Sequence, residues 1–543
     1  MVEPFKIIPR KREEMLFGRW RRRFLGLVTG SAVLLALSGL PQSVAALQSS
    51  VAGRDADLDL LLGVREVVEQ HDSSTHERTQ ETLRVRAGVG LTDWLKFDST
   101  TLASNGGPTM KATRSGVYNW NDAFQENSFG LDFEEAYFDA HLGSFDTRIG
   151  KQRIAWGKMD RFSPNDVLNT FSYLDPLLQE ENERRIGTPA IQTSYFPSFD
   201  WLPSESRATA VWIPAYLPYR FGNAKCDNVA GRQQCDIERW FPPAAVPPRV
   251  LSIPGSIIGL PGGNSALGVP ISFAVTNRPP PARRLDNGEI GLRYSGLVHD
   301  ADVAVYYYNG YDPSPAFLLN AEALGQPDPN PANPIHVRDL SGATTLTPVY
   351  KRIQSAGADA AYAVDLFTFR AEAAYFQDRP FARDLRTLVS DPSEIAPQLR
   401  QALIELANGQ GRATVPLPAS YVTRNAVEWA VAADCTFHGY WALLQFNQTD
   451  VLHNDANLLI ANAETRVVLN IRKSFLDERL RFQLVGIHAI ERDYSVLRPR
   501  VSYRISDQLD LEGGYLLIAG RSQSVLGEYS NNDEAWFGLN VRL

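Results

Sequence analysis

LDFEEAYFDAHLGSFDTRIGKQRIAWGKMDRFSPNDVLNTFSYLDPLLQEENERRIGTPAIQTSYFP, residues 131–197, decides how the chain is read. It parses as strand, tight turn, strand, long loop and strand. Successive side chains of a strand point to opposite faces. Over residues 131–142 this puts Glu134, Ala136, Phe138, Ala140 and Leu142 on one side, and Glu135, Tyr137, Asp139 and His141 on the other. Gly143, Ser144, Phe145 and Asp146 turn the chain, and residues 147–156 run back. Residues 157–186 then leave the sheet, carrying Asp160, Asp166, Asp175, Glu180, Glu181 and Glu183. The expectation is an acidic constriction loop that folds into the mouth of a barrel.

Outward from this stretch the same pattern repeats: two alternating strands, a tight turn between them, then a longer loop. Pairs fall at 79–90 with 94–103, 186–197 with 207–216, 287–296 with 302–310, and 353–364 with 367–377. They continue at 424–437 with 440–449, 464–474 with 480–491, and 495–505 with 509–519. Residues 58–70 open the series and 532–543 close it. The reading is all-β: one large antiparallel transmembrane β-barrel of about 18 strands, with about 16 as the alternative. Short turns alternating with long loops along the whole chain favour a membrane barrel over a soluble sandwich or propeller. In the last strand Ala535, Phe537, Leu539, Val541 and Leu543 share a face. Such an ending resembles the signal read by the barrel-assembly machinery, although those signals usually finish in Phe or Trp.

A mean hydropathy of -0.23 fits a barrel, which needs only alternate residues apolar. Aromatics make up 10% of the chain, and Tyr and Trp suit a membrane interface. A net charge of -8 argues against nucleic acid as a partner. Arg19, Arg21, Arg22 and Arg23 precede an apolar run over 24–40 and a small-residue site at Ser43, Val44, Ala45 and Ala46. Residues 1–46 therefore read as a secretory signal peptide, with Met15 as an alternative start. Arg21, Arg22 and Arg23 also fit the twin-arginine pattern. That route exports folded proteins, which does not suit a barrel.

Three loops stand out. Residues 217–284 are rich in Pro and Gly, a composition that opposes regular structure, and form a long extracellular loop. Cys226 and Cys235 lie in it, close enough for a disulfide in an oxidising compartment. Cys435 shares a strand face with Val427, Trp429, Val431 and Phe437 and reads as lipid-facing. Within 378–422, residues 391–409 read as a helix capped by Asp391 or Ser393, with Ile395, Leu399, Leu403 and Leu406 on one stripe. It would pack on the loop cluster, or act as a lid.

The face opposite the apolar one supplies the candidate pore lining: Arg84, Arg86, Glu135, Asp139, Arg293, Arg370, Glu372, Arg466, Arg472, Arg481, Arg498, Arg500 and Arg504. So many charges require a wet or densely ion-paired interior, not a greasy one. An acidic loop facing this arginine wall would set up a transverse field over passing solutes. Alternatively, the charges pair across strands and brace the barrel. No Gly-x-Ser-x-Gly, His-Glu-x-x-His or phosphate loop is present, so no catalytic residues and no cofactor are assigned. His71, Asp72, His76 and Glu77 cluster in the first outer loop and could hold a metal, but their spacing matches no helix-borne ligand pair and reads as a solvated polar loop.

Gly150-Lys151-Gln152-Arg153-Ile154-Ala155-Trp156-Gly157, then Asp160, then Ser163-Pro164-Asn165-Asp166-Val167-Leu168-Asn169, resembles a family of Gram-negative outer-membrane porin-like barrels of unknown function. The segment from Ala210 to Pro218, AVWIPAYLP, is similar to one those proteins carry at a strand end. The resemblance implies an outer-membrane location in a Gram-negative bacterium, contact with outer-membrane lipid, and a role in passage across that membrane. It implies no solute. A porin-like channel or exporter component is the resulting expectation. A structural partner of an export pump or of a cytochrome-containing electron-transfer complex is the alternative, and a barrel-embedded hydrolase is the third class.

Overall fold

The computed structural model describes residues 49–543 apart from 52–53, 72–73, 107–123, 127–128, 176, 178–179, 218–219, 221–223, 230–231, 238–239, 242–245, 247–249, 259–265, 276–284, 331, 385–394, 454, 456 and 523. The segment read as a signal peptide lies outside the described residues. So do the helix caps Asp391 and Ser393.

Eighteen strands close into one antiparallel barrel. They are β1 Arg54–His71, β2 Ser74–Gly90, β3 Leu95–Asn105, β4 Phe129–Leu142, β5 Phe145–Gln152 and β6 Thr188–Tyr195. Next come β7 Ser204–Ile213, β8 Glu289–Val298, β9 Ala301–Tyr311, β10 Arg352–Val364, β11 Phe367–Ala382 and β12 Tyr421–Phe437. The last six are β13 Tyr440–Val451, β14 Ala463–Phe475, β15 Leu480–Ala489, β16 Tyr494–Ser506, β17 Leu509–Gly520 and β18 Glu534–Arg542. β1 pairs with β18 from Leu61↔Arg542 to Glu69↔Glu534, so no edge is left open.

The tight turns use the backbone that short hairpins need. His299 and Asp300, and His438 and Gly439, all have positive φ. That geometry matches the twist of the flanking strands. Next to these turns stand exposed aromatics: Trp94, Phe145, Phe367, Phe437, Tyr440 and Phe475. They form a girdle at the short-turn end, as expected where a barrel meets a membrane interface. Above it the outer wall is apolar, with Ile149, Ile290, Leu292, Val305, Phe369, Val431, Leu444, Phe446 and Val501 all exposed. Cys435 is a half-buried free thiol.

Arginine placed on this belt should cost about 2–4 kcal/mol at Leu484, and less at Phe482, which packs edge-on against the girdle residue Phe475. Folding into vesicles, followed by the heat-dependent shift on denaturing gels, checks this. Unimpaired folding of both variants would mean the faces are reversed.

The long-loop end carries a second, seven-stranded sheet. Ala224–Val229, Arg232–Ile237, Val250–Pro254 and Ala266–Val275 come from the stretch read as irregular. Ala316–Pro327 and Val337–Val349, which the alternating pairs do not include, form a further hairpin, and Arg412–Val415 adds an edge. The stretch is regular despite its composition. Val269, Ile271 and Phe273 alternate inward and are buried, and this period of two outweighs the Pro and Gly around it. Cys226 and Cys235 face each other in the first hairpin and are joined by a disulfide. The helix α1, Ala396–Ala407, buries Leu399, Ala402 and Leu406 against Ile253, Ile271, Phe273 and Leu346 of this sheet. It packs on the loop cluster, and its first flanking residue is Ile395, not a polar cap.

Candidate functional site: the inward loop and the charged lumen

Residues 153–187 fold into the barrel. Asn169, fully buried, staples the two ends of this loop. Its side-chain oxygen accepts from Ile154 N–H at 2.7 Å. Its amide donates to the Ile186 carbonyl and the Thr188 hydroxyl, both at 3.0 Å. At the far wall, Glu372 of β11 accepts the backbone N–H groups of Lys158 and Met159, the latter at 2.6 Å, and the Ser163 hydroxyl at 2.7 Å. Gly157 makes this approach feasible: its φ is +86°, and a Cβ there would stand 2.8 Å from the Glu372 carboxylate. The Lys158 ammonium pairs with Asp359, which also accepts from the Tyr306 hydroxyl. Asn165 donates to the Ala358 carbonyl at 3.2 Å. Gln445 and Asn447 of β13 donate to the carbonyls of Arg161 and Phe162. The loop thus reaches from β5 across the lumen to β10–β13.

Apolar packing fixes it as well. Ile154, Trp156, Val167 and Leu168 pack on inward residues of β6–β13, among them Val211, Ile213, Tyr306, Ile353 and Phe376. Opposite, Leu177 meets Trp240 and Tyr529 from two long loops and Val67, Val468, Ile487, Leu516 and Trp536 from the wall. The expected interior without grease therefore needs correcting. Charges line part of the lumen, and three apolar clusters hold the loop among the described residues, the third joining Met159 to Ala430, Ala432 and Leu443.

The acidic residues of the loop are individually engaged. Asp160 pairs with Arg370 at 2.8 Å, Asp166 with Arg185, and Asp175 with Arg78 at 3.3 Å. Glu180 is held by Arg161 at 3.1 Å and by Arg498. The Glu183 carboxylate accepts the Glu180 N–H at 3.2 Å in a capping box. Burial, then the nearby Asp166 charge, pushes Glu181 above the usual carboxylate range. The loop carries its own cations, Lys158, Arg161, Arg184 and Arg185, which a count of acids alone overlooks. A purely acidic loop facing a basic wall is not the arrangement present.

The wall residues divide similarly. Arg84 pairs with Glu134 at 2.9 Å, Asp139 with Arg148 at 2.8 Å, and Arg466 with Glu464 at 2.8 Å. Arg370 also holds Asp434, and Arg500 holds Glu512. Arg86 lies 3.7 Å from Asp59, and Arg504 lies 3.8 Å from Asp510. Arg293 and Arg472 lie over the rings of Tyr306 and Trp441. Glu135 accepts the Arg153 N–H at 3.0 Å. Arg481 is exposed. Glu134, read as outward, is buried inside between Arg84 and Arg153. The reason is a β-bulge in β4: the register against β3 slips between Thr100 and Thr101, which turns two successive side chains inward. A charge on an otherwise apolar face was the signal for it. The side chains of His71, Asp72 and His76 lie outside the described residues, and no cluster suited to a metal occurs among those described.

A closed 18-stranded barrel with an apolar outer belt, an inward loop and a charged lumen has the architecture of a porin-like transmembrane barrel. The chain belongs to the family described as protein of unknown function DUF1302, whose model matches residues 96–469. Solved structures similar to it include OccAB3 of Acinetobacter baumannii, with 8% identity, a TM-score of 0.42, and 91% of this chain and 100% of that one covered. Others are OccK2 (OpdF) of Pseudomonas aeruginosa, at 8%, 0.42, 90% and 97%, and a BenF-like porin from Pseudomonas fluorescens Pf-5, at 10%, 0.43, 90% and 98%. No curated protein matches the chain.

Proposed function

We propose that this chain is a porin-like channel or exporter component of a Gram-negative outer membrane, passing solutes through a charge-lined lumen narrowed by the loop at 157–186. One observation carries this reading: a sealed barrel with an apolar exterior encloses ion-paired arginines and an open cavity beside the inward loop. Charges in such numbers inside a membrane barrel need water around them. On this reading the short turns face the periplasm, the disulfide-bearing sheet faces outward, and the barrel-assembly machinery recognises β18. No catalytic step belongs to the proposal. Planar-bilayer recording tests it: discrete conductance supports a channel, and a folded barrel that passes no ions at any voltage overturns it.

Combined Asp160→Asn, Asp166→Asn and Glu180→Gln replacement should shift the reversal potential toward anions. It leaves Arg370, Arg185 and Arg161 without those partners. An unchanged reversal potential would mean that ions do not pass the loop.

A second reading takes support from the apolar clusters around the loop. A barrel filled in this way would serve as the structural outer-membrane partner of an export pump or electron-transfer complex. Co-purification of such a partner with a non-conducting barrel would favour it.

A further inference from the structure

A cavity of about 410 Å³ lies between the inward loop and the walls formed by β1–β4 and β16–β18. Its polar lining holds eight arginines against six carboxylates. Arg84 and Arg153 share one carboxylate, Glu134, at 2.9 and 2.8 Å. Arg65 and Arg500 share Glu512. Asp132 is claimed by Arg220 and by Lys151. Arg184 and Arg542 also line the cavity, and neither forms an ion pair with a described residue. The Arg184 guanidinium lies over the rings of Phe171 and Tyr173, at 5.6 and 5.4 Å, and donates to the Ser172 carbonyl at 3.5 Å. Burial lowers its pKa from the ordinary arginine value, and Tyr173 and the Glu181 charge offset this only in part. Leu61, Leu102, Leu174 and Ile186 supply an aliphatic part of the same lining.

We infer that this cavity is a binding site for an organic anion with a short aliphatic body, whose carboxylate or phosphate group is held chiefly by Arg184, with Arg542 contributing. Arginine suits this task because its planar fork matches both kinds of oxyanion. The guanidinium is already oriented by two aromatic rings, so little side-chain freedom is lost on binding. The aliphatic residues exclude bare inorganic phosphate as the best ligand, since it would leave them facing water. The site concerns equilibrium binding and exists whether or not the barrel conducts.

The test is calorimetric titration of the full-length barrel in non-ionic detergent with hexanoate, hexyl phosphate, hexylamine and inorganic phosphate. Hexanoate or hexyl phosphate should bind, and the tighter of the two identifies the acidic group. Hexylamine should not bind, and inorganic phosphate should bind more weakly. Arg184→Gln should weaken binding about tenfold or more, and Arg542→Gln, altered at an exposed strand end, should weaken it measurably. Arg481→Gln, elsewhere on the wall, should leave it unchanged. No binding of either anion, equal binding of hexylamine, or wild-type affinity in Arg542→Gln and in folded Arg184→Gln would overturn the site. A barrel that conducts but binds neither anion removes this site alone; one that binds but never conducts removes only the channel.

Discussion

Replacing Glu372 with alanine should detach the inward loop from the far wall. The carboxylate is 3% exposed and holds two backbone N–H groups and a hydroxyl of the loop. Without it, the two backbone N–H groups lose their acceptor, and the Ser163 hydroxyl is left with only the Trp156 carbonyl, at 3.3 Å. Hydrogen bonds to a charged group contribute about 1.5–3 kcal/mol each, and they do not simply add. The expected loss is about 3–5 kcal/mol, the range for opening a buried charged network. Two measurements follow it: the temperature at which the folded band disappears on denaturing gels, and the conductance of single barrels. The first should fall, and the second should rise and become noisier as the loop moves. Glu372→Gln should lie between, because its amide oxygen can still accept while its NH2 group faces donors. Wild-type melting and wild-type conductance together would show that the loop is held elsewhere.

Trp156→Ala should be about as severe, for a different reason. The indole is 5% exposed and lies with its centroid 5.3 Å from the Tyr306 ring. Gly291 of β8 forms its socket: a Cβ at that glycine would stand 2.6 Å from the indole. Emptying such a site typically costs about 3–5 kcal/mol, because the surroundings relax only in part. Gly291→Val tests the same contact from the other side and should cost about 1–3 kcal/mol through overpacking. Urea-driven unfolding from vesicles gives both numbers. A loss under about 1 kcal/mol for Trp156→Ala would show that the ring does not anchor the loop.

Much of this architecture could be read from alternation alone. Each of the eighteen strands falls where a period-two segment stands, because a wall between hydrocarbon and water imposes that period on every strand. The reading failed where the local rule is broken or where partners are far apart. At Glu134 a single extra residue in β4 turns a charge inward, and only its presence on an apolar face hinted at this. Val468, Ile487 and Leu516 sit on the inner face, yet alternation cannot tell whether water or a loop lies opposite. Nor could it show that Glu372 meets Lys158, 214 residues earlier, or that Arg184 forms no ion pair with a described residue. The outer sheet was missed because proline content weighed more than the short alternating runs between the prolines.

The order of the chain also has a bearing on how this barrel is made. The loop leaves the sheet after β5, but the groups that seat it belong to strands that arrive much later, with Arg498 donating to the carbonyl of Leu177 from 321 residues downstream. Until β18 meets β1 and the wall is continuous, those seats do not exist together. Insertion therefore has to proceed around a segment that β6 to β9 have moored only in part, and its fastening can finish only when the seam shuts. Slow closure should expose this segment to proteolysis for as long as the seam stays open, which makes it a natural clock for the last step of biogenesis.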